Sequence, residues 1–270
     1  DTKIACKPLI LSSDAFFHYS NLTVSDLFVL LRPSGQVQSP KLMESIKSLK
    51  ILRILEKNID NDFITKPDEN TYSIKITDAL REEIIVSNNT ILKAGQLMRP
   101  FNRVYSKFIN EIEGLNSDFN IESLSFQLVK ECINDVDFNN HNKWGTINNN
   151  HATNCISLIL RVNNLINNPE FSKVFGFGKQ KNDAYELING INDFINGDLK
   201  ILRIGFEQVS FDFQAREILA NAVGKFLLEL ARNKKFEKNP IVLFVDEAHQ
   251  FLNKKVKDEY FESTELNSFD

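Results

Sequence analysis

The segment Pro240-Ile241-Val242-Leu243-Phe244-Val245-Asp246-Glu247-Ala248-His249-Gln250 decides how this chain is read. Five apolar residues run without a break into two adjacent carboxylates. An uninterrupted β-branched and aromatic run of this length predicts a strand covered on both faces, as in the middle of a parallel sheet. Ligand sites in such sheets lie at the carboxyl ends of the strands. Asp246 is therefore placed to hold Mg²⁺ through water, and Glu247 to polarise a water for attack on a phosphate. This is the pattern of a Walker B strand followed by a catalytic glutamate. The alternative is a core strand that ends in a solvated acidic turn.

The residues upstream favour the first reading. Leu199-Lys200-Ile201-Leu202-Arg203-Ile204-Gly205-Phe206 alternates and then turns, which predicts a second strand. Asp212 is a candidate N-cap. Over residues 214–232 the apolar positions Ile218, Leu219, Ala222, Val223, Phe226, Leu227 and Leu230 share one helical face. Asn233-Lys234-Lys235 closes that helix with positive charge, which suits its dipole. Strand, helix and strand together predict a right-handed crossover joining two parallel neighbours, 201–204 and 241–245.

No G-x-x-x-x-G-K-[ST] occurs anywhere in the sequence. Gly176-Phe177-Gly178-Lys179 has the wrong spacing, and Gly224-Lys225-Phe226 falls inside the expected helix. Phosphates need a cradle of backbone N–H groups and a lysine. The expectation is that the chain is a fragment of a larger motor, inactive alone, with its Walker A motif outside these residues.

Residues 240–251, the strand–helix pair over 199–232, and the segment Asn21-Leu22-Thr23-Val24-Ser25-Asp26-Leu27 with Ser34-Gly35-Gln36-Val37-Gln38-Ser39-Pro40 resemble the HerA family, ring ATPases of the broader HerA/FtsK class. The likeness is strongest over 199–253 and looser over 8–57. It implies a P-loop core of RecA-like α/β type with a parallel sheet, interrupted by a mainly helical inserted subdomain. The expected divisions are 1–70 (part of the core with its leading helices), 71–197 (the insertion) and 198–270 (core with Walker B). It further implies ATP and Mg²⁺ as ligands, a homo-hexamer, double-stranded DNA as the translocated substrate, and an effector such as a nuclease or sirtuin-type protein, in some relatives for anti-phage defence. Within it Asp246 organises Mg²⁺ and Glu247 orients the attacking water. His249 and Gln250 are candidates for a γ-phosphate sensor or a subunit interface; for His249, a structural hydrogen bond at a helix start is the equal alternative. Where the family often carries an Asp-Leu-Ser-Gly-like turn, this chain has Gly205-Phe206-Glu207-Gln208, so no role is transferred there.

The letters Asp-Glu-Ala-His are shared with superfamily 2 helicases, but those place a P-loop a small sheet's length ahead of the motif, and none is present. Two further readings stay open: a non-catalytic ring scaffold that recruits an effector, and a type IV secretion coupling ATPase.

The formal charge of −4 excludes a globally basic nucleic-acid-binding domain. DNA contact would fall to local lysines, with Lys254, Lys255 and Lys257 as candidates beside Lys234 and Lys235; solvated surface lysines are the ordinary account. Cys6, Cys132 and Cys155 are far apart and form no C-x-x-C, which predicts reduced thiols in a cytoplasmic protein, and no apolar stretch approaches twenty residues, so no membrane association is expected. His141 and His151 stand in an Asn-rich stretch near Cys155 and read as loop residues more readily than zinc ligands. Strands are expected at 1–11 and 72–76, and helices at 23–31, 40–57, 78–86, 91–113, 121–135, 152–167 and 183–195.

Overall fold

The computed structural model describes residues 6–58, 64–65, 70–76, 82–116, 118–178, 184–237 and 239–248. The chain is of mixed α/β class and divides into two compact units. One comprises residues 1–30 and 166–270, the other Leu31–Leu165.

In the first unit, β1 (Cys6–Ile10) runs parallel to a later strand of the same length, Ile201–Gly205, in the register Cys6↔Ile201 to Ile10↔Gly205. A second short pair, β2 (Ala15–Phe16) with Tyr185–Glu186, is also parallel. Helix α1 (Val24–Leu31) follows β2 and opens with a capping box. The Thr23 hydroxyl and N–H both donate to Asp26 Oδ2, at 2.7 and 2.9 Å, and Asp26 N–H donates back to Thr23 Oγ1.

The second unit opens with α2 (Gly35–Asn58), which begins earlier than the expected start at Pro40. Gln38 Oε1 accepts the Ser34 N–H at 2.9 Å and anchors the early first turn. Pro40 still lies close enough to the start that it forfeits little of the helical ladder. The buried stripe Ile51, Leu52, Ile54 and Leu55 packs on a four-stranded antiparallel sheet: β3 (Ile64–Thr65), β4 (Thr71–Lys75), β5 (Glu83–Ser87) and β6 (Thr90–Leu92). Ile74, Ile84, Val86 and Ile91 supply the sheet's side of that core.

This sheet corrects the expectation of helix over 78–86 and at the start of 91–113. Glu83-Ile84-Ile85-Val86-Ser87 is β-branched in its centre, which favours a strand. Asn88 and Asn89 both adopt positive φ, 51° and 57°, the backbone that a two-residue hairpin turn requires. Residues 77–81, part of the expected 78–86 helix, lie outside the described residues.

Helices then follow where amphipathic periodicity places them: α3 (Met98–Lys107), the short α4 (Ile109–Ile112), α5 (Leu124–Glu131) and α6 (Asn149–Asn167). The chain returns to the first unit through α7 (Pro169–Phe175), β7 (Tyr185–Glu186), α8 (Leu187–Asn196), β8 (Ile201–Gly205) and α9 (Ala215–Arg232). Gly176 ends α7 at φ +65°, where a Cβ would meet the Phe16 ring at 3.2 Å. Gly190 lets α8 approach β1: a Cβ there would lie 2.5 Å from Leu9 Cδ1.

The expected parallel pairing of 201–204 with 241–245 is not formed. β8 is paired with β1, and residues 241–245 have no strand partner among the described residues. The physical reason is that β-propensity alone does not make a strand, since a lone extended segment gains no ladder bonds to offset its ordering entropy. No described helix is long and apolar enough to cross a membrane.

Candidate active site

The first unit presents the carboxyl ends of two aligned parallel strands, Ile10 on β1 and Gly205 on β8, where α/β folds place their ligands. The ladder continues one step, with Leu11 N–H donating to Gly205 O at 3.0 Å. The turn after β8 is shaped by Arg216 in the first turn of α9. Its Nε donates to Val209 O at 2.7 Å, and its guanidinium stacks 3.6 Å from the Phe211 ring centroid. Glu207 pairs with Arg203 at 3.1 Å, both side chains substantially exposed. Asp212 opens a 3-10 turn and does not cap α9; Gln214, at φ 56°, occupies the cap position.

Helix α9 carries the expected apolar face only in part. Ile218, Leu219, Ala222 and Val223 are buried, whereas Phe226, Leu227 and Leu230 are half-buried. On the same helix, Asn221 Nδ2 and Lys225 Nζ each approach Asp26 Oδ1 at 3.4 Å. Asp26 is fully buried, so its charge is matched by a lysine and by the Thr23 capping bonds. This polar junction between α1 and α9 was not anticipated. Thr-x-x-Asp at 23–26 was its visible signal, and Asn221 and Lys225, one turn apart on α9, supply its other half.

Asp246 and Glu247 lie together in the turn 246–248, both exposed. Glu247 has φ 52°, and its N–H donates to Asp246 Oδ1 at 3.0 Å. The apolar run leading to them is exposed: Val242 is 77% accessible and Phe244 88%, against the expected two-sided burial. His249, Gln250, Lys254, Lys255 and Lys257 lie outside the described residues. Lys234 and Lys235 are exposed, and Lys234 pairs with Glu237 at 3.3 Å. Among the described residues, no three His, Cys, Asp or Glu side chains gather as a metal cluster.

Asp246 nevertheless fits the donor chemistry of Mg²⁺ in a nucleotide site. Such ions keep several waters and take one or two carboxylates, the rest coming from phosphates. A carboxylate accepts several hydrogen bonds, so the Glu247 N–H contact leaves capacity for a metal-bound water. For the phosphates themselves the chain offers no glycine-rich lysine loop.

A scan against protein-family models matches no family to this chain, and a search of curated proteins finds no match.

Proposed function

We propose that this chain is the Walker B-bearing part of a Mg²⁺-dependent, HerA-like ATPase of RecA-like core. In this reading the intact protein is a cytoplasmic hexamer that hydrolyses ATP to translocate or process double-stranded DNA. A nuclease or sirtuin-type effector is its natural partner, in anti-phage defence. The observation that carries the reading is the order β1 ∥ β8, then α9, then an apolar run ending in Asp246-Glu247.

ATP supplies the phosphoanhydride to be cleaved and Mg²⁺ the charge that steadies it. Asp246 would hold Mg²⁺ through a water, and the ion would supply charge against the phosphates. Glu247 would accept a hydrogen bond from the attacking water and take its proton as the water oxygen bonds to the γ-phosphorus, while the bond from that phosphorus to the bridging oxygen breaks and ADP leaves. The phosphate cradle comes, in this reading, from sequence outside these 270 residues.

The missing G-x-x-x-x-G-K-[ST] favours one rival, a ring scaffold that recruits an effector without hydrolysis. One experiment separates them. ATP hydrolysis and native mass are measured for the intact protein, with and without DNA, beside Glu247→Gln. The ATPase reading expects a loss of roughly 10²-fold or more with nucleotide binding retained. Equal turnover in the two proteins would overturn the role of Glu247, and a ring without hydrolysis would support the scaffold.

A further inference from the structure

Phe211 is a large apolar ring left in solvent on a turn that is otherwise tightly held. The turn joins β8 to α9, at the carboxyl edge of the parallel pair β1 and β8. Val209 N–H donates back to Phe206 O at 3.0 Å, and the Val209 side chain is buried. Asp212 N–H donates to Ser210 Oγ at 3.2 Å, and the Ser210 hydroxyl to Asp212 Oδ2 at 3.1 Å. Phe211 stands between these two bonded residues, so its backbone is held while the residue stays 73% exposed.

Arg216 holds the ring as well. Its Cζ lies over one face, 3.6 Å from the ring centroid. Its Nε donates to Val209 O at 2.7 Å and its Nη2 to Glu207 O at 3.4 Å. Among the described residues its partners are these two carbonyls and the ring, with no carboxylate. A ring so exposed, with one face covered by Arg216, has its other face open to solvent.

A cation beneath the ring draws π density away from the outer face, which favours an electron-rich heteroaromatic ring there. The rim is polar: Glu207, Gln208 and Asp212 are exposed. An apolar protein face would have to desolvate those groups. A nucleobase instead stacks flat, and its exocyclic amino group can donate to the Asp212 carboxylate at the edge. The carboxyl edge of parallel strands is also where α/β folds hold nucleotides.

We propose that the outer face of Phe211 is a stacking platform for a nucleobase, with Arg216 the residue that positions the ring. The inference rests on the ATPase reading and adds to it the residue that grips the base. Two sources offer the same chemistry: the adenine of ATP and an unpaired base of a DNA strand.

The test uses the intact protein with Phe211→Ala, Phe211→Leu, Phe211→Trp and Arg216→Lys. Because Phe211 is exposed, its substitutions remove no core packing, and melting temperatures check this. Calorimetry with Mg²⁺ measures three probes: ATP, inorganic tripolyphosphate, which has no base, and a short oligo-dT strand. If adenine is the base, Phe211→Ala and Phe211→Leu weaken ATP binding about tenfold and leave tripolyphosphate unchanged. KM for ATP then rises more than kcat falls, and Phe211→Trp restores both. If the base belongs to DNA, the same two variants weaken oligo-dT about tenfold and spare ATP. The salt slope is then unchanged, since a stack releases no counterions. Arg216→Lys gives a smaller loss on the same probe.

The proposal is overturned if Phe211→Ala leaves ATP and oligo-dT binding unchanged, or weakens tripolyphosphate as much as ATP. It is also overturned if Phe211→Ala alters the native mass while both affinities hold, which would make the ring an anchor between subunits. A parent protein that binds neither ATP nor oligo-dT overturns the ATPase reading and this inference with it. A parent that binds ATP as tightly as its Phe211→Ala variant, with oligo-dT also unaffected, overturns this inference alone.

Discussion

Lys93 Nζ lies 2.8 Å from Glu131 Oε2, with both side chains only 3% exposed. The pair bridges the residue after β6 and the last turn of α5. Glu131 is further satisfied by the Ser48 hydroxyl at 2.6 Å and by Gln127 Nε2 at 2.9 Å. Gln127 also mimics a strand neighbour for Ile91, accepting its N–H at 2.8 Å and donating to its carbonyl at 3.1 Å. Removing Glu131 leaves the buried Lys93 ammonium with only the longer contact to Glu44 Oε2, at 3.6 Å, whose side chain is half exposed. Glu131→Ala should therefore destabilise the chain by about 3–5 kcal/mol, while the double change Lys93→Met with Glu131→Leu should recover most of that loss. Urea melts of the single and double variants measure both. A loss below about 1 kcal/mol for Glu131→Ala would show that the pair contributes little to this core.

The Tyr105 hydroxyl donates to Glu113 Oε1 at 2.5 Å, and Lys47 pairs with the same oxygen at 3.1 Å. The tyrosine hydrogen bond, with the hydrogen bond and charge of Lys47 after it, holds the Glu113 carboxyl below its ordinary value. The same bond raises Tyr105 above its ordinary value. A depressed carboxylate contributes stability that is present above its unfolded pKa and lost as pH falls through the folded one. A raised phenol contributes stability that is present below its unfolded pKa and lost as pH rises through the folded one. Tyr105→Phe should thus flatten both limbs and return Glu113 toward the ordinary carboxylate range, read by carboxyl NMR titration. Because Glu113 is largely exposed, the change in stability near neutrality should stay within about 1 kcal/mol. An unchanged Glu113 titration in the variant would refute the assignment.

Periodicity made the long amphipathic helices legible. The stripes of α2, α6 and α9 were read directly, because a buried face repeats every three to four residues whatever it packs against. The hairpin of β5 and β6 was missed because Ile84, Ile85 and Val86 form a short apolar run that fits either period, and the deciding signal was the Asn88-Asn89 turn. Residues 241–245 show the opposite failure. Their composition is that of an interior strand, but a strand is a property of its neighbours, and among the described residues β8 pairs with β1. At the candidate site the Asp246-Glu247 pair stands out in the sequence as two adjacent carboxylates after an apolar run. The Asp26–Lys225 contact does not, because its members are far apart in sequence and meet only through packing.

Asp26 makes the junction of α1 and α9 sensitive to a single change. Asp26→Ala removes the two bonds that its carboxylate accepts from Thr23, keeps the backbone N–H bond to Thr23 Oγ1, and leaves Lys225 and Asn221 facing an apolar methyl. The loss should be about 2 kcal/mol or more, combining a cap with buried hydrogen bonds. Thr23→Ala, which spares the α9 contacts, should cost about 1 kcal/mol. Chemical denaturation of the two variants compares them directly. Equal losses would mean that the α9 contacts at 3.4 Å contribute nothing beyond the cap.

The exposed run at Val242, Leu243 and Phe244 gives the functional reading a test that is independent of turnover. Burying one such side chain stabilises by roughly 1.5–3 kcal/mol, so three in a row have a strong drive toward a covering sheet. Among the described residues, the amides of 241–245 have no strand partner, and in the isolated chain they should exchange with solvent rapidly. In an assembled motor the same amides would be ladder donors in a central strand, protected by about the stability of the core. Hydrogen exchange with mass detection, on the isolated chain and on the intact protein with a non-hydrolysable ATP analogue and Mg²⁺, compares the two. Strong protection only in the latter supports the Walker B strand and its placement of Glu247. Rapid exchange in both, with nucleotide bound, would mean that the run is not a sheet strand, and the ATPase reading of Asp246-Glu247 would fall with it.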